Sequence, residues 1–74
     1  MLKYGIFSTA GLGWLKSGDD GRIAQAHRLG GIERARNFAI RFTSYEEAAI
    51  HRDASFVKGH IASLDGWLIV AWKE

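Results

Sequence analysis

Apolar and polar positions alternate at the start of the chain, which is typical of a β-strand. From Met1 to Ser8, one side of this strand carries Leu2, Tyr4 and Ile6, and the other side carries Lys3, Gly5 and Phe7. Glycines between residues 9 and 13 then bend the chain, and Trp14-Leu15-Lys16 is predicted to return as a short second strand. The small and polar residues at 17–21 favour a tight turn after it.

Two segments in the middle of the chain each allow two interpretations of their secondary structure. Residues 22–34 form either a mobile basic loop or a helical turn, which Gly30-Gly31 would end and whose apolar face would be Ile23, Ala24, Ala26 and Leu29. From Asn37 onward the apolar period is two, which predicts a strand, while a helix from Ile32 to Ala39 is the competing interpretation. We favour the strand because Phe38-x-Ile40-x-Phe42 has strong β-propensity.

The clearest local signal is a capping box at Ser44 and Glu47. A serine at the N-cap accepts the amide hydrogen of the residue three positions on, and the glutamate there reaches back to the serine amide. A helix is therefore predicted from Tyr45 to about Ala54. Its inward-facing residues should be Tyr45, Ala48 and Ala49.

Two further strands are predicted after this helix, Phe56 to Ala62 and Trp67 to Trp72. Asp65-Gly66 between them is a signal for a two-residue hairpin turn. The last strand is apolar on both sides, which predicts a place in the middle of a sheet or a second side covered by a helix or a partner. The whole chain, residues 1–74, is predicted to be a single α+β domain, a small antiparallel β-sheet of three to five strands with one α-helix packed across it.

Composition narrows the class of protein. The chain has 74 residues and no cysteine, so neither disulfides nor thiolate metal sites can support its small core. Three Trp, two Tyr and four Phe indicate dense aromatic packing instead, or stabilisation by a partner. No apolar run approaches the roughly 20 residues that span a bilayer. We therefore expect a soluble, cytoplasmic protein with no membrane partner.

Motifs for catalysis or for cofactors are weak. Gly11 to Ser17 resembles a phosphate-binding loop, but Leu15 stands where that motif requires glycine before the lysine. Asp19 and Asp20 lack the ligand spacing of a calcium loop. The three histidines, His27, His51 and His60, include no pair at the close spacing of a zinc site. We expect no enzyme, and no catalytic, metal or cofactor-binding residues.

A basic segment is the strongest candidate for function. Between residues 22 and 41, five arginines are opposed only by Glu33, which leaves a formal charge of +4; they are Arg22, Arg28, Arg34, Arg36 and Arg41. Arginine suits contacts with carboxylates, phosphates and aromatic rings, so the segment could bind an acidic protein or nucleic acid, or be a solvated face. Trp67 is expected in the core, whereas Trp14 and Trp72 are expected to be partly exposed, so that one of them serves as an aromatic anchor; packing of all three inside the core is the alternative.

Several segments resemble a loose group of very small proteins encoded by phages and mobile elements. They are Ala35 to Phe38, Phe42 to Ala48, the terminal segment Trp67 to Glu74, and an opening strand such as Lys3 to Phe7 followed by Gly13 to Lys16. Some members of this group are anti-CRISPR proteins. The resemblance implies a stoichiometric inhibitor that works in the host bacterial cytosol by binding a protein of a host CRISPR–Cas complex. Residues 19–34 depart from the pattern by their Arg-rich insertion. An Arg-rich nucleic-acid-binding module is the alternative function, and homodimerisation through the last strand is compatible with both.

Overall fold

Four strands and three α-helices form within residues 1–16 and 22–74, which are the residues that this computed structural model describes. The predicted turn at 17–21 lies outside them. In chain order the elements are β1 (Leu2–Ser8), β2 (Gly13–Leu15), β3 (Ile23–Gln25), α1 (Ala26–Leu29), α2 (Ile32–Ala35), a 3-10 turn (Arg36–Phe38), α3 (Tyr45–Val57) and β4 (Trp67–Lys73). Within the described ranges, no helix has both the length and the apolar character needed to cross a membrane.

The strands form one antiparallel sheet in the order β3-β2-β1-β4. This arrangement confirms the predicted α+β fold with a small antiparallel sheet. β4 pairs with β1 along its whole length but lies at the edge of the sheet, not in the middle. It is apolar on both sides because each side faces a separate cluster, with Trp72 and Val70 in one, and Trp67 and Ile69 in the other.

The sheet lies between two helical layers, so the core has two parts. On one side, Trp14 and Trp72 pack with alanines supplied by the segment 24–39, which contains α1 and α2. On the other side, Ile6 and Leu15 pack against Ala48 of α3. The layer formed by α3 corresponds to the predicted helix across the sheet. In the other layer, α1 ends at Gly30, which agrees with the helical interpretation of residues 22–34, whereas β3 at the start of that segment was not predicted.

Gly5 in the centre of β1 makes room for the two large indoles of the first cluster. A Cβ atom at this position would lie 2.9 Å from the Trp72 ring and 3.2 Å from the Trp14 ring. Distances this short require neighbouring atoms to move. The absence of a side chain at Gly5 therefore allows Trp72 to lie flat across the strand.

The predicted strand over residues 37–42 is wrong. The chain forms α2 and a 3-10 turn there, and afterwards makes only single bridges at Ala39 and Phe42. Ala35 and Ala39 are buried at helical spacing, whereas Phe38 is 56% exposed. The competing helical interpretation was closer because small residues, not the phenylalanine, pack against the sheet.

The predicted start of α3 is confirmed, but its end and inner face differ from the prediction. The Ser44 hydroxyl accepts from the Glu47 amide at 3.1 Å, as predicted. The Glu47 carboxylate accepts from the amide and hydroxyl of Thr43 and not, as predicted, from the Ser44 amide. Ala48 is buried, as expected, but Tyr45 is exposed. The helix continues to Val57, so the predicted strand from residue 56 to residue 62 and its hairpin are wrong. Small residues again form the buried face.

Candidate functional site

Trp14 and Trp72 are core residues, which corrects the expectation that they are partly exposed. Trp14 is 3% exposed and Trp72 is 8% exposed, with their rings in edge-to-face contact at 5.4 Å. The Trp14 indole donates to the carbonyl oxygen of Ile32 at 3.0 Å, which ties β2 to α2. Trp67, expected in the core, is half-buried against the cluster of Ile6 and Leu15.

Two of the five predicted arginines converge on the Trp72 ring. The guanidinium carbon of Arg36 lies 4.9 Å from the ring centroid, and that of Arg41 lies 5.6 Å away. Both distances fall within the range of cation–π attraction. The 3-10 turn after α2 places Arg36, and the extended segment that follows it places Arg41. Two guanidinium groups therefore lie against one buried ring.

Arg41 is fixed by hydrogen bonds on two sides. Its Nη1 donates to the carbonyl oxygens of Ala39 at 3.0 Å and Asn37 at 3.4 Å. Its Nε donates to both carboxylate oxygens of Glu74 at 2.9 Å. The guanidinium orientation is therefore set by backbone carbonyls as well as by the carboxylate.

The Trp72 side chain donates a second hydrogen bond to the Glu74 carboxylate. The indole nitrogen Nε1 of Trp72 donates to Oε2 of Glu74 at 3.1 Å. The hydrogen bonds from Arg41 and Trp72 lower the pKa of the Glu74 carboxyl below its ordinary value, because both stabilise its ionised form. The Glu74 carboxylate therefore accepts hydrogen bonds from both the Arg41 guanidinium and the Trp72 indole.

Positive charge exceeds negative charge at this site. Lys3 lies directly opposite Trp72 in the β1–β4 pair, and its charge also favours ionised Glu74. The guanidinium group of Arg36 contacts the Trp72 ring but makes no hydrogen bond or ion pair within the described part of the chain. Three cations against one carboxylate leave a formal charge of +2. We refer to Lys3, Arg36, Arg41, Trp72 and Glu74 as the Trp72 cluster.

The other three predicted arginines are carried by other parts of the fold. Arg28 on α1 and Arg34 on α2 are exposed in the helical layer on the Trp72 side of the sheet. The Arg34 side chain lies over the turn at Gly30 that separates these two helices. Arg22 is exposed just before β3. Of the predicted set, Arg36 and Arg41 share a contact with the Trp72 ring.

Two members of the cluster, Lys3 and Glu74, were not predicted. Glu74 stands two positions after Trp72, and residues at this spacing share one side of an extended chain. That spacing is a signal by which Glu74 could have been found. The pairing of Lys3 with Trp72 depends on the strand register, for which the sequence has no local signal.

A second exposed surface lies on α3. The helix buries Ala48 and Ser55 and exposes large apolar side chains, with Ile50 exposed to 68% and Val57 to 82%. Beside it, Nη1 of Arg52 donates to the carbonyl oxygen of Trp67 at the beginning of β4. This surface combines apolar side chains with the exposed carboxylates of Glu46, Glu47 and Asp53, and it lies across the sheet from α1 and α2.

The described residues contain no cluster of three potential metal ligands and enclose no pocket. Comparison of the chain with models of protein families, with curated proteins and with solved structures finds no match in any of the three. The chemistry of the Trp72 cluster is therefore the basis for any functional proposal.

Proposed function

We propose that this chain is a small phage-type inhibitor that acts by stoichiometric protein–protein binding, in the manner of an anti-CRISPR protein that blocks a host CRISPR–Cas complex. The observation that carries the proposal is the pair of guanidinium groups held on the Trp72 ring. The resemblance of the sequence segments to small phage-encoded proteins supplies the inhibitor class. Such a protein would act in the cytosol of the host bacterium.

The two guanidinium groups have properties that suit an interface. Arg41 is oriented by the carbonyl oxygens of Ala39 and Asn37, so little side-chain entropy remains to be lost on binding. Arg36 is half-buried on an aromatic ring and keeps its hydrogen-bond donors available to a partner. Arginine and tryptophan are enriched among the residues that dominate binding energy at protein interfaces. These features favour a partner surface that carries carboxylates.

A tagged pull-down from bacterial lysate tests the proposal, with and without nuclease treatment. We expect a defined protein complex that survives nuclease and is lost in an Arg36→Ala, Arg41→Ala double variant. Truncation of an anchoring arginine should cost about 2–4 kcal/mol of binding. Lys58→Ala at the end of α3 is the control, because it also removes a positive charge but lies outside the Trp72 cluster. Retention of the full complex by the folded double variant would refute this interface.

Inhibition itself is measured by phage plating on bacteria with active CRISPR–Cas immunity. Cells that express the chain should permit plaques from a targeted phage, and cells that express the double variant should not. A wild-type chain that binds a host complex without restoring plaques would refute the inhibitor class while leaving the interface in place.

Nucleic-acid binding is the second candidate function. The observation that favours it is the exposure of Arg28 and Arg34 in the same helical layer that leads to Arg36. About four or five phosphate contacts would give a slope near −4 when the logarithm of affinity is plotted against the logarithm of salt concentration. A pull-down product that disappears with nuclease, together with this slope, would favour nucleic acid over a protein partner.

A further inference from the structure

The Glu74 carboxylate shows which ligand chemistry the Trp72 cluster accepts. Its two oxygens receive the Nε proton of Arg41 at 2.9 Å, and Oε2 also receives the indole proton of Trp72 at 3.1 Å. We propose that Glu74 is an internal ligand of this site, and that neighbouring carboxylates of an acidic protein segment displace it on binding. This inference rests on the proposed protein-binding function and names the chemistry of the partner.

The donors of the site remain in place when Glu74 leaves. Trp72 is fixed by its contact with Trp14 and by the space that Gly5 provides. Arg41 keeps its hydrogen bonds to the carbonyl oxygens of Ala39 and Asn37. Because the donors are oriented by the fold, an incoming carboxylate meets a preformed site.

The contact with Glu74 is weak enough to exchange. The side chains of Arg41 and Glu74 are 30% and 39% exposed, and ion pairs with this exposure shift an equilibrium by only about two- to fivefold. A single glutamate leaves Arg36 without a carboxylate, although its guanidinium lies against the same ring. A partner segment with two adjacent acidic side chains can engage both guanidinium groups, which Glu74 alone does not do.

The phosphate backbone of a nucleic acid is the competing occupant. Carboxylate is favoured because the site already holds one, with an indole donor and a guanidinium donor converging on the carboxylate of Glu74. The excess charge at the site is also modest, at +2 from Lys3, Arg36 and Arg41 against Glu74. Nucleic-acid surfaces are usually more strongly basic.

The test measures binding of a fluorescein-labelled oligoglutamate peptide by fluorescence anisotropy, using the full chain. Removing the internal competitor with Glu74→Gln should tighten binding by about two- to fivefold. Glu46→Gln on α3 is the control, because it changes the net charge equally at an exposed side chain that makes no hydrogen bond or ion pair with any residue the structure describes. It should tighten peptide binding less than Glu74→Gln does. Arg36→Ala should weaken binding of the peptide to the Glu74→Gln variant.

A second readout reports occupancy of the site directly. In a ¹⁵N spectrum, the Trp72 indole resonance should shift on addition of the peptide in the unchanged chain, and the Glu74→Gln variant should show that shift at lower peptide concentration. Equal tightening by Glu74→Gln and Glu46→Gln, or an unmoved Trp72 resonance, would overturn the proposal. Binding of labelled oligothymidylate but not of oligoglutamate would also overturn it, in favour of phosphate.

The failure of this inference and the failure of the proposed function are distinguishable. If the pull-down captures a nuclease-resistant complex but Glu74→Gln has no specific effect, the chain binds protein without displacement of Glu74. If Glu74→Gln tightens peptide binding but the lysate contains no partner, the carboxylate site stands and the inhibitor function falls.

Discussion

Replacement of Gly5 by alanine is expected to destabilise the protein, although alanine is normally the better residue in a strand. The added methyl group would lie 2.9 Å from Cζ3 of Trp72 and 3.2 Å from Cε3 of Trp14. Overfilling a packed core costs about 1–3 kcal/mol, and replacing a strand glycine recovers about 0.5–1 kcal/mol. Gly5 does not have a positive φ angle, so no backbone strain is added. The midpoints of these two ranges predict that the free energy of unfolding falls by about 1 kcal/mol.

Urea unfolding followed by tryptophan fluorescence measures this change, and thermal unfolding provides a second readout. For a domain of this size, each kcal/mol lowers Tm by roughly 4–8 °C. The matched experiment is a double-mutant cycle with Trp72→Phe, because phenylalanine lacks the outer ring atoms that the new methyl group would meet. The two changes should be less destabilising together than the sum of their separate effects.

An alanine variant as stable as the unchanged chain would refute the reasoning. So would strict additivity in the cycle, because the cost would then arise somewhere other than between Gly5 and Trp72. Either result would mean that the Trp72 ring does not lie across β1. The proposed contacts of Arg36 and Arg41 with that ring would then lack support.

Two further predictions concern the helix cap and the ionisation of Glu74. Ser44→Ala removes the side-chain acceptor for the Glu47 amide and should lower the free energy of unfolding by about 1 kcal/mol in urea titrations, whereas an unchanged value would contradict the cap. The lowered pKa of Glu74 means that its contact with Arg41 contributes stability above the ordinary glutamate pKa, and that this contribution is lost as pH falls through the lowered value. The pH titration of the Glu74 side-chain carboxyl, followed by ¹³C NMR, should have its midpoint below the ordinary value, and a raised midpoint would contradict the contact.

Local signals in the sequence were sufficient for some elements. The start of α3 follows from a serine and a glutamate three positions apart, and both lie within one helical turn. The alternation of side chains over a continuous stretch predicts β1. In the pairing of β1 with β4, side chains on the same side of the two strands pack in the same core cluster. In these cases the residues that determine the structure are close neighbours in the chain.

Where the sequence misled, contacts between distant residues decided the structure. The alternation of Phe38, Ile40 and Phe42 resembles a strand, but the burial of Ala35 and Ala39 against the indoles favours a helical path instead. The neighbours of Trp14 and the position of Trp72 near the end of the chain predicted partial exposure, but these local features do not reveal that Gly5 in a paired strand accommodates both rings.

The candidate site was predicted only in part for the same reason. The basic segment is visible as charge, and Arg36 and Arg41 were among the predicted residues. Their convergence on one ring depends on the path of the chain between α2 and α3, and the bond from Arg41 to Glu74 joins residues 33 positions apart. Charge patterns identify candidate residues, while the fold selects which of them act together.

Because Trp72 belongs to both the core and the cluster, packing and binding should be coupled. Its ring contacts Trp14 within the core and also carries the guanidinium groups of Arg36 and Arg41. Gly5→Ala should therefore weaken oligoglutamate binding even at temperatures where the variant is fully folded. Ser44→Ala reduces stability by a similar amount through α3, in the other helical layer, and should leave that binding unchanged. Equal effects of the two variants on affinity would show that general loss of stability, and not displacement of the ring, controls the site.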